Sequence, residues 1–274
     1  MRRLKIGGRL LRVRDEPEPP PDPGRGPLPL VCVHGAGMSS VVWMELARRL
    51  PPVRRVVAPD LPGHGQSESG PGAPSLADYS ETVGAVCTEL GIERAVLVGH
   101  SMGGAVALTL ALARPQLVAG LVLLNSAAAL PVSPELMVLL ERTLPAPDAA
   151  APESVWADRL PGELGELMFS PATPKDLRER WQAVLLAATR QTVLGDFRAC
   201  ASFDVRARLG ELRVPTLLVG GSDDLLVPSW AVQATAHQLA GAQLQLVPDT
   251  AHLTHLEKPE PFQALLTEFL RGVA

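Results

Sequence analysis

Six residues, Gly99-His100-Ser101-Met102-Gly103-Gly104, stand between two apolar runs and require the chain to turn back on itself. The run before them, Ala95-Val96-Leu97-Val98, is short and β-branched and reads as a buried strand. The run after them, Ala105 to Ala113, is longer, rich in Ala and Leu, and stopped at Arg114-Pro115, so it reads as a helix. A reversal that tight places Ser101 on the turn, where a side chain at Gly99 or Gly103 would collide with the neighbouring element. The serine hydroxyl then projects over the carboxyl end of a sheet. Backbone N–H groups at the helix start, beginning with Met102, face any negative charge that develops there.

Gly-x-Ser-x-Gly between a strand and a helix is the pattern called the nucleophile elbow. A glycine-rich turn with an incidental serine would look the same, so the remainder of the chain has to decide. Strand-like apolar runs recur at Leu30–Val33, Val56–Ala58, Gly120–Asn125, Val214–Val219 and Gln243–Val247, with helical stretches between most of them. Lys5–Arg14, around Gly7-Gly8, reads as a first hairpin strand, and the Pro- and Gly-rich Asp15–Pro29 as an exposed loop. Ser75 starts a helix that Gly91 closes, and Pro259–Leu270 is a terminal helix. Continuous apolar strands alternating with helices imply a mostly parallel sheet with helices on both faces.

From Ala127 to about Phe203 the rhythm breaks. Helical stretches such as Glu135–Leu144 and Lys175–Thr189 are separated by prolines, including Pro131, Pro145, Pro152, Pro161, Pro171 and Pro174. A helical insertion between strands accounts for this, giving a core of residues 1–126 and 204–274 and an inserted lid of residues 127–203. In parallel sheets, sites form where the strands end at their carboxyl edge. Ser101, Asp223, Asp224 and His252 all follow strands at that edge, and the loop His34-Gly35-Ala36-Gly37 lies beside them.

Composition removes several classes of function. A net charge of −4 leaves no basic face for nucleic acid and no polybasic patch for a membrane, and 4% aromatics provide few bases with a stacking platform. Cys32, Cys87 and Cys200 are scattered, no Cys/His cluster has metal-ligand spacing, and Cys32 reads as a small buried hydrophobe, so neither metal nor cofactor is expected. No signal-peptide core follows Met1-Arg2-Arg3, and no uncharged run has transmembrane length, which points to a cytoplasmic, reduced protein.

With these residues in order, the sequence resembles the α/β-hydrolase superfamily over essentially its whole length. The resemblance rests on His34-Gly35-x-Gly37, Asp60-x-Pro62-Gly63-x-Gly65-x-Ser67, the elbow at Ser101, Gly221-x-x-Asp224-x-x-x-Pro228, and His252 leading to Glu257-x-Pro259. The order nucleophile, acid, histidine is also the family's. Departures are small: Ala251 stands where the family often has glycine before the histidine, and the Asp15–Pro29 stretch is long. The resemblance implies an oxyanion hole made by the N–H groups of Ala36 and Met102.

A serine needs an imidazole to take its proton. His34 and His64 lie in glycine-flanked turns, His100 diverges from its neighbour Ser101, and His237 reads as a solvated helix residue. Of His252 and His255, His252 follows the strand and matches the family position. The orienting carboxylate is Asp223 or Asp224; spacing to Gly221 and Pro228 favours Asp224, while Asp60, in its Pro-Gly turn, suggests structural work. A serine nucleophile argues against the dehalogenase and epoxide hydrolase relatives, whose elbow carries a carboxylate. The expected substrate is a small-molecule carboxylic ester, with lactonase, carbon–carbon bond hydrolase, lyase, acyltransferase or perhydrolase activity on the same triad as the alternatives. A peptidase of the proline-iminopeptidase kind would use Glu163 and Glu166 to hold an amine, and a non-catalytic binding module is the other class. Leu136, Met137, Leu139, Leu140, Trp156, Leu167, Met168, Phe169 and Trp181 are available either to line an apolar pocket or to pack the insertion.

Overall fold

The computed structural model describes residues 1–16, 27–50, 54–69, 75–143, 163–185 and 187–273. Its strands are β1 (Arg2–Ile6), β2 (Arg9–Glu16), β3 (Leu30–Val33), β4 (Val56–Pro59), β5 (Ala95–His100), β6 (Val118–Leu124), β7 (Thr216–Gly221) and β8 (Gln243–Val247). They form one sheet in the order β1-β2-β4-β3-β5-β6-β7-β8. The β1–β2 and β2–β4 pairs are antiparallel and all others parallel. Side-chain alternation divides the core in two. Val31, Val33, Leu97, Leu121 and Leu123 face α2 (Leu76–Glu89), α3 (Met102–Ala113) and α8 (Ser229–Gln238). Leu30, Cys32, Val96, Val98 and Val122 face α1 (Met44–Arg49) and α10 (Pro259–Arg271) on the other side. The α/β-hydrolase architecture expected from the sequence is the one observed.

Local signals set the elements between. Ser75 caps α2 in a reciprocal box, its hydroxyl accepting from the Asp78 N–H at 3.1 Å while the Asp78 carboxylate accepts from the Ser75 N–H at 2.9 Å. Between β6 and β7 run α4 (Pro134–Thr143), α5 (Glu163–Met168), α6 (Lys175–Leu185) and α7 (Arg190–Ala201). Trp156, Pro145, Pro152 and Pro161 lie outside the described residues. Among the described residues no helix is long and apolar enough to cross a membrane.

Two local readings need correction. Asp15 and Glu16 are not loop but the end of β2, paired with Val57 and Val56. Asp15 is buried there because Arg55 grips both its oxygens at 2.8 and 3.0 Å and Arg2 adds a contact at 2.9 Å. The helix read over Lys175–Thr189 stops at Leu185. Thr189 caps a new helix instead, accepting from the Thr192 N–H at 3.3 Å, and the link before it is bound to the core: Ala187 N–H donates to the Gly37 carbonyl at 2.8 Å, and Gly65 N–H donates to the Ala187 carbonyl at 2.6 Å. Backbone partners distant in sequence ended the helix.

Under the elbow, helix and sheet leave no room for a side chain. A Cβ on Gly103 would fall 2.1 Å from the Val33 carbonyl oxygen, and one on Gly99 2.3 Å from that of Gly103. Around the same edge three imidazoles are packed away from solvent. Burial is the main cause that lowers His34 to about 4 and His255 to about 3 and holds His100 well below the usual imidazole range.

Gly103→Ala is expected to cost about 3 kcal/mol or more, since backbone must move to admit the methyl group. Gly210→Ala, where the added Cβ meets nothing within 4 Å, should stay within about 0.5 kcal/mol of wild type. Urea unfolding of both variants decides this, and equal losses would refute the clearance argument. The buried imidazoles set a second expectation. Above about pH 6.5 they are neutral in both states; below it the unfolded chain takes up protons that the folded one refuses. Stability should therefore fall as pH drops from about 6.5 toward 4, by about 1.4 kcal/mol per pH unit for each ring. In urea titrations between pH 7.5 and 5, His255→Phe should reduce that slope by one proton; an unchanged slope would count against it.

Candidate functional site

Ser101 sits between β5 and α3 at φ 52°, ψ −120°, a conformation that costs a residue with a side chain about 1–3 kcal/mol. The surroundings hold it there. Its N–H donates to the Leu124 carbonyl at 2.9 Å, and its own carbonyl accepts from Ser126 Oγ at 2.8 Å and from the Gly104 N–H at 2.9 Å. The consequence is a half-buried serine at the carboxyl end of the sheet's middle strand, followed directly by the first N–H of α3 at Met102.

His252 reaches the same edge from the loop after β8. Its Nδ1 lies 2.9 Å from Asp224 Oδ2 and 3.1 Å from Oδ1, and both side chains are buried. With Nδ1–H directed at a carboxylate, the Nε2 lone pair is left for another partner. Asp224 is itself fixed: Oδ1 accepts from the Leu226 and Val227 N–H groups, each at 2.9 Å, and Oδ2 from Asn125 Nδ2 at 2.9 Å. The second hydrogen of the Asn125 amide goes to the Ala251 carbonyl at 2.9 Å, so one side chain ties the acid to the histidine loop. Asn125 holds φ 47°, which asparagine tolerates better than most residues. Sequence reasoning treated it as the end of a strand; an Asn closing an otherwise apolar run was the available signal.

Ser101 and His252 line one cavity of about 630 Å³ of empty space, its open mouth included. The walls include Met38, Leu226 and Val227 from the core, Leu130 and Val132 from the stretch after β6, and Leu136, Met168 and Phe197 from α4, α5 and α7. Ala36 also lines it, and no acidic, lysine or arginine side chain does so among the described residues. Of the apolar residues considered for the pocket, Leu140, Phe169 and Trp181 are instead buried in packing. Phe197 and Cys200, on the helix that the sequence did not separate, were missed. Burial pushes the Cys200 thiol well up, so it lines the wall as a hydrophobe.

The other candidates fall elsewhere. Asp223 accepts from Ser170 Oγ at 2.5 Å and from Ser222 Oγ at 2.7 Å, which hold its carboxyl below the usual range. Asp60 accepts from the Ser40 N–H at 2.8 Å and the Gln66 N–H at 3.0 Å and so shapes its turn. His255 stacks on Trp43 with ring centroids 4.9 Å apart, and His100 donates from Nε2 to the His252 carbonyl at 2.7 Å. His237 and Glu166 are exposed; the side chain of Glu163 lies outside the described residues. His64 does more than shape a turn: it is buried, with Nε2 2.8 Å from Asp196 Oδ2 on α7. Glu257 accepts from the N–H groups of Ala251 and Ser170, each at 2.8 Å, joining the histidine loop to the end of α5.

Comparison with known proteins places the chain in a family. The family model for the alpha/beta hydrolase fold matches residues 29–259. The chain is 32% identical over 263 residues to the pimeloyl-(acyl-carrier protein) methyl ester esterase of Aromatoleum aromaticum, covering 89% of this chain and 98% of that one. It is 31% identical over 254 residues to the 2-hydroxymuconate semialdehyde hydrolase of a Pseudomonas strain, covering 88% and 86%. Among solved structures, a thermophilic esterase from Thermogutta terrifontis superimposes with a TM-score of 0.82 at 27% identity, covering 99% of both chains. Strand order, elbow and sequence match together make this protein a member of the α/β-hydrolase family.

Proposed function

We propose that this chain is a serine hydrolase of small to medium, uncharged carboxylic esters, with Ser101 as nucleophile, His252 as general base and then acid, and Asp224 as the orienting carboxylate. The observation that carries the reading is the shared cavity: the half-buried serine and the imidazole line it together, and the imidazole's far nitrogen is bound to a carboxylate. In that tautomer His252 Nε2 takes the Ser101 proton as Oγ attacks the ester carbonyl, and Asp224 stabilises the imidazolium that forms. The oxyanion meets the N–H groups of Met102 and Ala36, each donor contributing about 3–4 kcal/mol to the transition state. The alcohol leaves with the proton from His252. Water then repeats the sequence on the acyl-enzyme.

Wall chemistry supports the substrate class. An apolar cavity with no acidic, lysine or arginine side chain among the described residues has nothing to offset the desolvation of an ammonium or carboxylate, which favours neutral acyl and alcohol groups over aminoacyl amides. Residues 127–203 act in this reading as the lid over a core of residues 1–126 and 204–274; α4, α5 and α7 each contribute a side chain to the wall. The esterase among the relatives fits the same class.

A fluorophosphonate probe should label wild type and fail to label Ser101→Ala, whose ester turnover should fall by about 10⁴-fold or more. In a panel of p-nitrophenyl esters of increasing chain length, lactones and aminoacyl amides, short and medium esters should turn over fastest. Preference for the amides, or a folded wild type that neither labels nor turns over, would overturn the proposal. Asn125→Ala should lower kcat about ten- to hundredfold with KM little changed, because the Asp224–His252 pair loses its alignment but the cavity wall does not change. A loss confined to KM would argue that Asn125 contacts substrate instead.

A further inference from the structure

Asp196 lies on α7, fully buried, and its one ion-pair partner among the described residues is His64. Oδ2 accepts from the Gly37 N–H at 2.9 Å and from His64 Nε2 at 2.8 Å, and Oδ1 accepts from the Tyr79 hydroxyl at 2.7 Å. The other ring nitrogen of His64 stands 3.1 Å from the Pro62 carbonyl, which can only accept. A buried carboxylate is costly unless paired and hydrogen-bonded in this way, and three donors from three separate elements satisfy it.

What this network holds is the loop His34-Gly35-Ala36-Gly37. The β6–β7 segment grips Gly37 at both ends: Asp196 accepts from its N–H, and Ala187 N–H donates to its carbonyl at 2.8 Å. Underneath, His34 accepts from the Leu61 N–H at 3.1 Å and packs 4.8 Å from the His64 ring. The peptide between Ala36 and Gly37 is thus oriented by a side chain 159 positions further along the chain. We propose that Asp196 is a positioning residue of the ester hydrolysis: through Gly37 it aims the Ala36 N–H at the oxyanion, so that the β6–β7 segment completes the oxyanion hole as well as covering it. This rests on Ala36 being an oxyanion donor, as read above.

Kinetics on the full chain test it, with labelling of wild type by the fluorophosphonate as the first measurement. If wild type neither labels nor turns over esters, the hydrolase reading fails and this proposal with it. If wild type is active, Asp196→Leu, which keeps the branched skeleton and removes the acceptors, should lower kcat about ten- to hundredfold with KM within about threefold. Asp196→Asn, whose amide oxygen can still accept from Gly37, should recover most of that loss. Leu209→Ala, a buried change remote from the loop, should lower Tm without lowering kcat. A wild-type kcat in Asp196→Leu, or an equal kcat loss in Leu209→Ala at equal Tm, overturns the proposal. Should Asp196→Leu fail to fold, hydrogen exchange on the wild-type protein decides: the Gly37 amide should be protected as strongly as the amides of α7, and rapid exchange of Gly37 while α7 stays protected overturns it.

Discussion

Everything at this site depends on how closely the start of α3 is pressed against β3 and β5. Gly99 and Gly103 leave no room for a methyl group between helix and sheet, and a Cβ on Gly104 would fall 2.3 Å from Ser126 Oγ. That contact forces the chain to reverse in one residue, and the reversal puts Ser101 in a positive-φ conformation it would not otherwise hold. The same geometry leaves the first turn of α3 with unpaired N–H groups beside the serine, where a helix start favours negative charge. Strain, exposure and an anion-binding edge are therefore three results of one close approach.

The loops around the serine have no ladder to satisfy their backbone groups, and buried or half-buried carboxylates do that work instead. Asp60 accepts from Ser40 and Gln66, Asp196 from Gly37, Asp224 from Leu226 and Val227, and Glu257 from Ala251 and Ser170. Each fixes a different loop at the carboxyl edge of the sheet. Charge-assisted bonds of this kind are short and about twice as strong as neutral ones, so a few side chains can hold an otherwise irregular surface. Only Asp224 among them also faces the imidazole that borders the cavity. The chemistry proposed for it uses a group that the fold already needs.

The cavity divides its walls between the two parts of the chain. Met38, Leu226 and Val227 come from loops that follow strands of the sheet, whereas Leu130, Val132, Leu136, Met168 and Phe197 come from the segment between β6 and β7. The helices of that segment are anchored at points that also hold the site: the Met168 carbonyl accepts from the His252 N–H at 3.1 Å, and Asp196 accepts from Gly37. Repacking those helices would therefore disturb the His252 loop and the Gly37 loop together.

Local patterns carried the strands, the elbow, the helix start at Ser75 and the order of the three proposed catalytic residues, because each depends on neighbours within a few positions: apolar runs at β3 to β7, Gly-x-Ser-x-Gly, a Ser before a helical stretch, and an Asp and a His each following a strand. They also allowed Asp223 and Asp224 to be ranked by spacing alone, and the side chain bonded to His252 is that of Asp224. What required the tertiary structure were contacts between positions far apart in the chain. Asp15 looked like loop until Arg55 buried it, Lys175–Thr189 looked like one helix until Gly37 and Gly65 claimed Ala187, Asn125 stood out only as a polar residue closing an apolar run, and Asp196 carries no local mark of what it holds. Periodicity and capping are short-range and can be read along the chain. A buried polar group is positioned by whichever donors the fold brings to it, and that is decided only when the strands are side by side.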